Sequence, residues 1–406
     1  MVLMKTIVEI NSTNYASTGN IMLNIASEAR KNGFRVYTCC KASKESYKHP
    51  HDDEIIIGYR YERILSAILA TYTGLRDHFN WFGTFSFIRK LKRISPDLIH
   101  LHVLHDDFIN TKMLFRYLSA SGIPVLWTFH DCCAMTGKCP YFDIANCDKW
   151  KNGCHDCPQL HIEAESKFFD TTKTIWNERK RSFTSLKDLT IVSPSSWLAD
   201  LVKESFFRNY PVEVINNGID LTRFKPLEND IRKKYRLEDK YLILGVANVW
   251  GERKGLDVFV KLAKILPENY QILLVGTNSE TDRLLPGNVI SIHRTYDQEE
   301  LVKIYSAADL FVNPTREENF PTVNIEALAC GIPVLTFETG GSPEIIDENC
   351  GSAVAKDDVN ELAEQIVRIC EDKRYKKEAC LNRASRYDMK NAFEGYISLY
   401  NRILKR

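Results

Sequence analysis

The sequence predicts an α/β protein made of two doubly wound domains that face a cleft. Short apolar runs alternate with segments of helical period, an alternation typical of parallel strands joined by crossover helices. The same pattern begins again after residue 219. At 406 residues the chain is long enough for two such domains, each with its own core. Because ligands of such sheets bind outside the carboxyl ends of the strands, the ligand is expected in the cleft.

The first domain is predicted to span residues 1–212. It opens on a strand at 6–10, a short run of Ile and Val after Lys5. Gly122 and Pro124 are turn residues that introduce a later strand at 124–128. The other elements predicted here are strands at 34–39, 98–102 and 191–194 and helices at 20–31, 113–120 and 196–205.

The second domain is predicted to span residues 213–388, entered through a strand at 211–219 with an Asn-Asn-Gly turn. Its further strands are predicted at 241–246, 271–275, 289–293, 309–313 and 333–337, and its helices at 256–265, 298–307, 322–329 and 360–371. A last helix at 391–404 carries apolar residues at helical spacing and has no sheet after it. We therefore expect the segment 389–406 to pack back on the first domain.

Composition and charge exclude several classes of protein. Hydrophobic residues make up 44% of the chain and charged residues 26%, as in ordinary globular proteins. A net charge of +1 argues against a protein that coats nucleic acid. No apolar run reaches the roughly 18 residues of a spanning helix, mean hydropathy is −0.28, and residues 1–10 do not resemble a signal peptide. We expect a cytoplasmic protein, soluble or peripheral, with no nucleic-acid partner.

Residues 60–93 interleave basic and aromatic side chains, and two interpretations stay open. A segment of this composition can lie on an anionic bilayer, here the inner face of the cytoplasmic membrane. Alternatively, it forms ordinary helices with an apolar core face and a charged solvent face. The basic residues are Arg60, Arg63, Arg76, Arg89, Lys90, Lys92 and Arg93.

The sharpest motif is a pair of glutamates, Glu318 in a loop after a strand and Glu326 in the helix that follows. An ionised carboxylate accepts two hydrogen bonds, so the pair can hold hydroxyl groups of a sugar and of a ribose. Gly340 and Gly341 precede another predicted helix, where free backbone N–H groups suit a phosphate. Alternatively, the two glutamates have unrelated roles. The Ala-Cys-Gly-Ile-Pro-Val sequence around residue 330 argues against this alternative.

These residues resemble the retaining glycosyltransferases of family four, whose glycosyltransferase-B fold has two Rossmann-like domains. The resemblance covers essentially the whole chain. It implies that Glu318 contacts the donor sugar and that Glu326 binds the ribose of the nucleotide. It also places the backbone of the intervening residues against sugar and diphosphate; these are Asn319, Phe320, Pro321, Thr322 and Val323.

A second motif follows the first strand of the second domain. Cations near a departing diphosphate stabilise its charge, and the resemblance assigns this role to Lys254. Many relatives have an arginine six residues earlier, where this chain has Asn248. Arg253 is the candidate for the second cation.

Two further positions come from the first domain. The polar loop 11–20 contains Gly19, which is expected to bring its backbone against a phosphate or an acceptor; a simple helix N-cap is the alternative. His130 follows a strand and matches the histidine that the family places near the anomeric centre. The catalytic residues implied by the resemblance are thus His130, Lys254 and Glu318. The three histidines at 100, 102 and 105 are given a packing role.

The resemblance implies retaining, metal-independent hexosyl transfer from a UDP- or GDP-sugar to a lipid-linked or oligosaccharide acceptor, in bacterial surface polysaccharide biosynthesis. No cofactor is expected in catalysis, and no Asp-x-Asp metal motif accompanies the phosphate residues. The alternatives are a sugar-nucleotide epimerase or a phosphorylase on the same fold, or a carbohydrate-binding scaffold without catalysis. A dinucleotide oxidoreductase would need Gly-x-Gly-x-x-Gly, which the sequence lacks.

Six of the twelve cysteines fall between residues 132 and 157. Cys154 and Cys157 have the spacing of a zinc knuckle, and Cys139 and Cys147 complete a four-thiolate set. Such a closed site would be structural, because it leaves no open position for catalysis. Buried free thiols, or disulfides formed only on purification, are the alternatives. The insert resembles one in capsule and colanic-acid type transferases.

Overall fold

The structure, a computed structural model, describes residues 4–162 and 164–405. The chain divides into two compact units. The first unit runs to Ile215 and also includes the chain from Phe393 onward, and the second comprises Asn216–Ala392. The boundary predicted between residues 212 and 213 lies just before this division.

The first unit is built on a seven-stranded sheet in which every pair is parallel, in the order β3-β2-β1-β4-β5-β6-β7. Its central strands are almost entirely buried and rich in Val, Ile and Leu, as expected of a sheet covered on both faces. The strands are β1 (Thr6–Ile10), β2 (Arg35–Lys41), β3 (Glu54–Ile57), β4 (Leu98–Leu101), β5 (Val125–Thr128), β6 (Leu189–Ser193) and β7 (Val212–Val214).

Helices alternate with these strands. They are α1 (Ala16–Lys31), α2 (Lys44–Lys48), α3 (Arg60–Thr73), α4 (Trp81–Ile94), α5 (Thr111–Ser121), α6 (Lys149–Asn152), α7 (Thr172–Phe183) and α8 (Ser196–Glu204). The core between α5, α7 and the sheet is aromatic: Trp127 packs against Phe115 and Phe183, with ring centroids 5.3 and 5.1 Å away.

The second unit repeats this plan with a six-stranded parallel sheet in the order β10-β9-β8-β11-β12-β13. Leu242 and Leu244 belong to one buried cluster and Ile243 to another, so both faces of the sheet are covered. The strands are β8 (Tyr241–Val246), β9 (Tyr270–Val275), β10 (Val289–Ile292), β11 (Leu310–Asn313), β12 (Val334–Phe337) and β13 (Gly351–Val354).

The helices of the second unit are α9 (Ile231–Tyr235), α10 (Leu256–Ile265), α11 (Ser279–Asp282), α12 (Gln298–Ala307), α13 (Thr322–Ala329), α14 (Ser342–Ile345), α15 (Val359–Glu371) and α16 (Lys377–Ser385). The last helix, α17 (Met389–Leu404), belongs to the first unit from Phe393 onward. There Tyr400 donates a hydrogen bond to Glu9 of β1, 3.1 Å away. No helix within the described residues combines the length and the apolar character that crossing a bilayer would need.

The predicted fold class is confirmed in both units, since each is a parallel sheet with alternating helices. The strand order of both sheets is that of dinucleotide-binding folds, in which the chain reverses its direction of winding between two central strands. In the first sheet this switch point lies between β1 and β4, and in the second it lies between β8 and β11. The loops that follow these strands are the expected places for ligands.

Candidate active site

At the switch point of the second sheet, two loops bring Lys254 against Glu318. The lysine ends a short 3₁₀ turn, Glu252–Lys254, in the loop after β8, and Glu318 lies in the loop after β11. Lys254 Nζ and Glu318 Oε2 form a short ion pair. The two side chains are 21% and 16% exposed, so the pair lies at the edge of solvent, where a ligand can reach it.

Gly255 makes this approach of the two loops feasible. Its φ of 73° lies in the left-handed region, and a Cβ at this position would overlap the carbonyl oxygen of Pro314. A glycine is therefore required between Lys254 and the start of α10.

Arg316 holds the same two loops in place through charged hydrogen bonds. Its guanidinium donates to both carboxylate oxygens of Asp257 at 2.7 and 2.8 Å and to Asp357 at 2.6 Å. These carboxylates raise the pKa of Arg316, which stays charged but is fully engaged within the protein. Sequence analysis missed this residue, because its partners lie on α10 and after β13, and no local pattern connects them.

The second predicted cation, Arg253, lies beside Lys254 but serves the loop in a different way. Its Nη1 is 3.4 Å from the carbonyl oxygen of Glu317, and its own carbonyl accepts a 2.8 Å hydrogen bond from the backbone N–H of Arg316. Asn248, which stands where relatives have arginine, is exposed in the loop after β8. The structure thus places Lys254, and not Arg253, on the predicted sugar-binding glutamate.

Glu326 lies on α13, within reach of Tyr305 from α12. The tyrosine hydroxyl donates a 3.1 Å hydrogen bond to Glu326 Oε2. Burial raises the pKa of Glu326 to about 7, and the hydrogen bonds from Tyr305 and Thr322 act in the opposite direction. A carboxyl group that titrates near neutral pH is unusual and typical of functional sites. Tyr305 was not predicted, since a core tyrosine gives no signal in the sequence.

The segment between the two glutamates has two parts. Asn319 and Phe320 are buried, and the Phe320 ring packs edge-on against Tyr387 with centroids 5.6 Å apart, so the side chain anchors the loop. Pro321 caps α13, whose first residues are Thr322 and Val323. The segment thus ends at the N-terminus of α13, a kind of position at which anions commonly bind.

The glycine pair at 340 and 341 has another role than the predicted phosphate cradle. The Gly341 N–H donates to the carbonyl oxygen of Asn319 at 2.8 Å and is not available to a ligand. Gly340 has a φ of 55°, and a Cβ there would overlap the carbonyl oxygen of Glu318. The pair therefore clamps the loop that carries Glu318, which corrects the prediction.

In the first unit, His130 follows β5 and pairs with His102, which follows β4. The distance from His102 Nδ1 to His130 Nε2 is 3.1 Å, and the rings are stacked with centroids 5.4 Å apart. Burial lowers the pKa of both imidazoles to about 3, so both are neutral at physiological pH. His130 can therefore donate or accept a hydrogen bond but does not carry a positive charge in this state.

Of the three histidines expected to pack, His100 and His102 lie in a buried polar network, whereas His105 is partly exposed. His100 bonds to the Tyr400 hydroxyl at 2.6 Å and to Thr128 Oγ1 at 2.8 Å.

His102 Nε2 lies 3.5 Å from Glu9 Oε2. Burial raises the pKa of Glu9 to about 8, so this carboxyl group is largely protonated near neutral pH. His105 bonds to Asp131 at 2.9 Å. The network links His130 through His102 to Glu9.

Gly19 lies inside α1 and not in the preceding loop, so the predicted loop position is wrong. The helix begins at Ala16, four residues before the predicted start at 20. Gly19 is buried, and a Cβ there would come within 2.9 Å of the backbone carbon of Asn14. Its lack of a side chain lets the loop fold back on the helix, and the residue faces its own chain.

The four cysteines predicted to bind zinc line one small cavity, beside Phe142 and Trp150. All four are free thiols, and the Gly137 N–H donates to Cys154 Sγ at 3.2 Å. In the described residues, two sets of potential ligand atoms converge within 4.8 Å, Glu9-His100-His102 and His105-Asp131-Cys133, and the four cysteines are not among them. The four cysteines thus share one cavity, but their sulfur atoms do not converge to ligand distances in this arrangement.

The fold and the site define an enzyme of the glycosyltransferase-B class. Sequence comparison agrees with this class for both halves of the chain. Residues 18–223 match the family described as Glycosyltransferase Family 4, and residues 228–387 match the one described as Glycosyl transferases group 1. The chain belongs to glycosyltransferase family 4, and the expected activity class is thereby confirmed.

Two curated relatives and one solved structure illustrate the similarity. A putative colanic acid biosynthesis glycosyl transferase of Escherichia coli, WcaC, is 26% identical over 81% of each chain. A Campylobacter jejuni N,N'-diacetylbacillosaminyl-diphospho-undecaprenol alpha-1,3-N-acetylgalactosaminyltransferase is 25% identical over 56% of this chain and 63% of its own length. The crystal structure of Anabaena HepE in complex with UDP shares the fold, with a TM-score of 0.68 at 16% identity over 98% of this chain and 100% of that one.

Proposed function

We propose that the protein transfers a sugar from a nucleotide-diphosphate sugar to a hydroxyl group of a lipid-linked or oligosaccharide acceptor in the synthesis of a bacterial surface polysaccharide. The observation that carries this proposal is the contact of Lys254 with Glu318, on the same sheet edge as Glu326. The colanic acid relative supports the polysaccharide pathway, and the Campylobacter relative supports a lipid-linked acceptor. UDP and GDP are both kept as candidate nucleotides; the UDP complex of HepE favours testing UDP first.

In the proposed reaction the configuration at the anomeric carbon is retained. The bond from this carbon to the diphosphate oxygen breaks while a bond to the acceptor oxygen forms on the same face. The proton of the acceptor hydroxyl passes to the departing diphosphate oxygen. Lys254 would stabilise the charge of that diphosphate, Glu318 would hold sugar hydroxyl groups, and Glu326 those of the ribose. His130, neutral, would donate a hydrogen bond to the donor sugar. The proposed chemistry needs no metal.

The test is a thermal-shift screen with UDP, GDP and their sugar conjugates on the wild type, Lys254→Ala and Glu326→Ala. Lys264→Ala is the control, since this lysine is exposed on α10. Ligand at about 100 times its Kd should stabilise the native state by about 2.7 kcal/mol. We expect a shift with one nucleotide series in the wild type and the control, and its loss in both site variants.

A protein shown to be folded that responds to no nucleotide would contradict the proposal and favour the scaffold. Turnover of the sugar nucleotide without acceptor, giving an isomerised sugar nucleotide, would instead indicate the epimerase. Dependence on pyridoxal phosphate would indicate the phosphorylase. With a glycosylated product in hand, NMR of its anomeric proton distinguishes retention from inversion.

We further propose a peripheral contact of α3 and α4 with an anionic membrane. On α3, Tyr61, Ile64, Leu65, Ile68 and Tyr72 are 39 to 86% exposed, and their spacing places them along one helix face. On α4, Trp81, Phe82 and Phe85 are at least 52% exposed. These residues do not form a core face, which disfavours the alternative of ordinary helices. The neighbouring basic side chains complement anionic headgroups.

We also propose that Cys139, Cys147, Cys154 and Cys157 hold a structural zinc ion. Their shared cavity and the N–H···S bond to Cys154 support this assignment. The ion would stabilise the stretch between β5 and α7, whose described residues form only a 3₁₀ turn at Cys133–Met135 and the one-turn helix α6.

A further inference from the structure

A cavity of ≈ 380 Å³ lies at the carboxyl edge of the first sheet, and its walls are rich in cations. The lining residues come from the end of β2, from α3 and the loop after it, from the loops after β4 and β5, and from α7. Five cationic side chains line it, and three carboxylates accompany them. The cations are Lys41, Arg63, Arg76, Lys138 and Arg179, and the carboxylates are Asp77, Asp106 and Asp107.

Ion pairs within the wall use all three carboxylates. Lys41 pairs with Asp106 at 2.7 Å, Arg76 with Asp107 at 2.5 Å, and Arg179 with Asp77 at 2.8 Å.

Two of the five cations, Arg63 and Lys138, take no part in these ion pairs. Arg63 Nε donates to the carbonyl oxygen of Ala42 at 3.0 Å, and Lys138 Nζ donates to the carbonyl oxygens of Gln159 and Leu160 at 2.8 Å. Within residues 4–162 and 164–405, neither forms an ion pair with a carboxylate. Arg76 Nε is buried and has no hydrogen-bond partner among these residues. The cavity thus carries an excess of positive charge. A neutral sugar would not require this charge, because hydroxyl, amide and aromatic groups can bind it.

The helix that supplies Arg63 also carries the exposed apolar stripe. Arg63 and Ala67 lie one turn apart on α3 and line the cavity, while Leu65 and Ile68 of the same helix are 56% and 49% exposed. Guanidinium and ammonium groups suit the oxygens of a phosphate or diphosphate. An anionic group that is bound next to an apolar surface indicates a ligand with a charged head and an apolar chain.

We propose that this cavity binds the diphosphate of a lipid-linked acceptor, with Arg63 and Lys138 as its principal contacts. The inference rests on the proposed function and narrows its acceptor from an oligosaccharide to an anionic polyprenyl-type diphosphate. The apolar chain would run along α3, and the diphosphate would hold the acceptor sugar at the carboxyl edge of the first sheet, the edge at which His130 lies.

The experiment measures binding of farnesyl diphosphate, farnesol and inorganic pyrophosphate by calorimetry, each in the presence of saturating UDP. The proteins are the full-length wild type, Arg63→Gln, Lys138→Gln and the control Arg60→Gln. Arg60 lies one turn before Arg63 on α3, is exposed and does not line the cavity. Circular dichroism establishes that each variant is folded. We expect farnesyl diphosphate to bind more tightly than pyrophosphate, farnesol not to bind, and Arg63→Gln to weaken farnesyl diphosphate at least tenfold while Arg60→Gln leaves it unchanged.

Each other result would overturn the inference. Equal binding of farnesol would show that the diphosphate contributes nothing, and equal binding of pyrophosphate would assign the cavity to a free diphosphate. Undiminished binding to both Arg63→Gln and Lys138→Gln would place the ligand elsewhere. The nucleotide screen with Lys254→Ala is independent: its failure would contradict the proposed donor site, whereas loss of farnesyl diphosphate binding alone concerns only this cavity.

Discussion

Glu9 is a buried carboxyl group of the first unit whose burial the sequence does not explain. It lies on β1 with no exposed surface, and its Oε1 accepts a hydrogen bond from the Tyr400 hydroxyl at 3.1 Å. Among the described residues its Oε2 has no hydrogen-bond partner, and it lies 3.5 Å from His102 Nε2. A protonated Glu9 can donate towards this imidazole, whose other nitrogen contacts His130. Glu9 is therefore a positioning residue, which acts on His130 through His102.

We predict that the glutamine variant Glu9→Gln behaves like the wild type near pH 4.5 and becomes more stable than the wild type as the pH rises to 9. Burial raises the pKa of Glu9 from 4.5 to about 8. The protonated form is thus favoured by folding, and its contribution to stability is complete below about pH 4.5 and is lost as the pH rises through 8. Glutamine cannot ionise and avoids this loss. Urea titrations at pH 4.5 and pH 9 measure the difference.

The matched control is Glu394→Gln, since Glu394 is exposed on α17. Its stability relative to the wild type should not change between the two pH values. A Glu9→Gln protein whose difference from the wild type is also independent of pH would show that Glu9 is ionised in the folded state.

Residues in local motifs could be predicted, and residues that act through distant partners could not. Lys254, Glu318 and Glu326 stand in sequence patterns, although their assigned roles stay predictions. Arg316 and Tyr305 support them from other elements, and no pattern reveals which carboxylate an arginine will meet after folding. The hydrogen bond from the Gly341 N–H could not be predicted for the same reason, because its partner Asn319 belongs to a different loop.

At the scale of elements, apolar periodicity located the buried strands and the amphipathic helices well. The predicted bounds of β8, α10, α12 and α13 coincide with those observed. The strands β3 and β13 were missed, and both lie at an edge of their sheet. The sequence of β13, Gly-Ser-Ala-Val, has little apolar character, and pairing with β12 makes it a strand.

The loop that carries Glu318 provides a prediction at this scale, the variant Gly340→Ala. Gly340 has a φ of 55°, and an added Cβ would overlap the Glu318 carbonyl oxygen. Strain of this kind costs on the order of 1–3 kcal/mol or displaces the loop. We expect a lower melting temperature and a weaker nucleotide-induced thermal shift. Gly287→Ala is the control, because a Cβ there has no neighbour within 4 Å. Equal behaviour of the two variants would contradict the clamp.

The cysteine-rich segment gives a second prediction for an element. If the proposed site exists, the purified protein should contain about one zinc ion per chain by elemental analysis, and Cys154→Ser should lose it. Cys370→Ser is the control, since Cys370 is a buried free thiol on α15. Removal of zinc by a chelator should lower the melting temperature, because the ion is bound only by the folded segment. Wild-type protein without zinc after expression in zinc-supplemented medium would leave the four residues as free thiols.

The whole molecule is nearly neutral, so a contact with an anionic surface must come from a local concentration of charge and apolar surface. The formal net charge is +1, yet residues 89–93 contain four basic side chains. Next to them, the exposed apolar side chains of α3 and α4 are joined by those of a neighbouring loop, since Phe168 is 67% exposed and lies 5.7 Å from the Tyr72 ring. Single exposed apolar residues are ordinary, but a continuous group of them indicates an interaction surface.

We predict that the wild-type protein sediments with vesicles that contain phosphatidylglycerol and much less with vesicles of phosphatidylcholine alone. Leu65→Glu and Phe82→Glu should each reduce the bound fraction severalfold, because each removes apolar contact and adds a charge that anionic lipids repel. Ile265→Glu is the control, since Ile265 is 50% exposed on the second unit. Raising the salt concentration should weaken binding without abolishing it, because the apolar contribution is not screened. Binding that is equal on both kinds of vesicle, or unchanged in both surface variants, would contradict a membrane contact through α3 and α4.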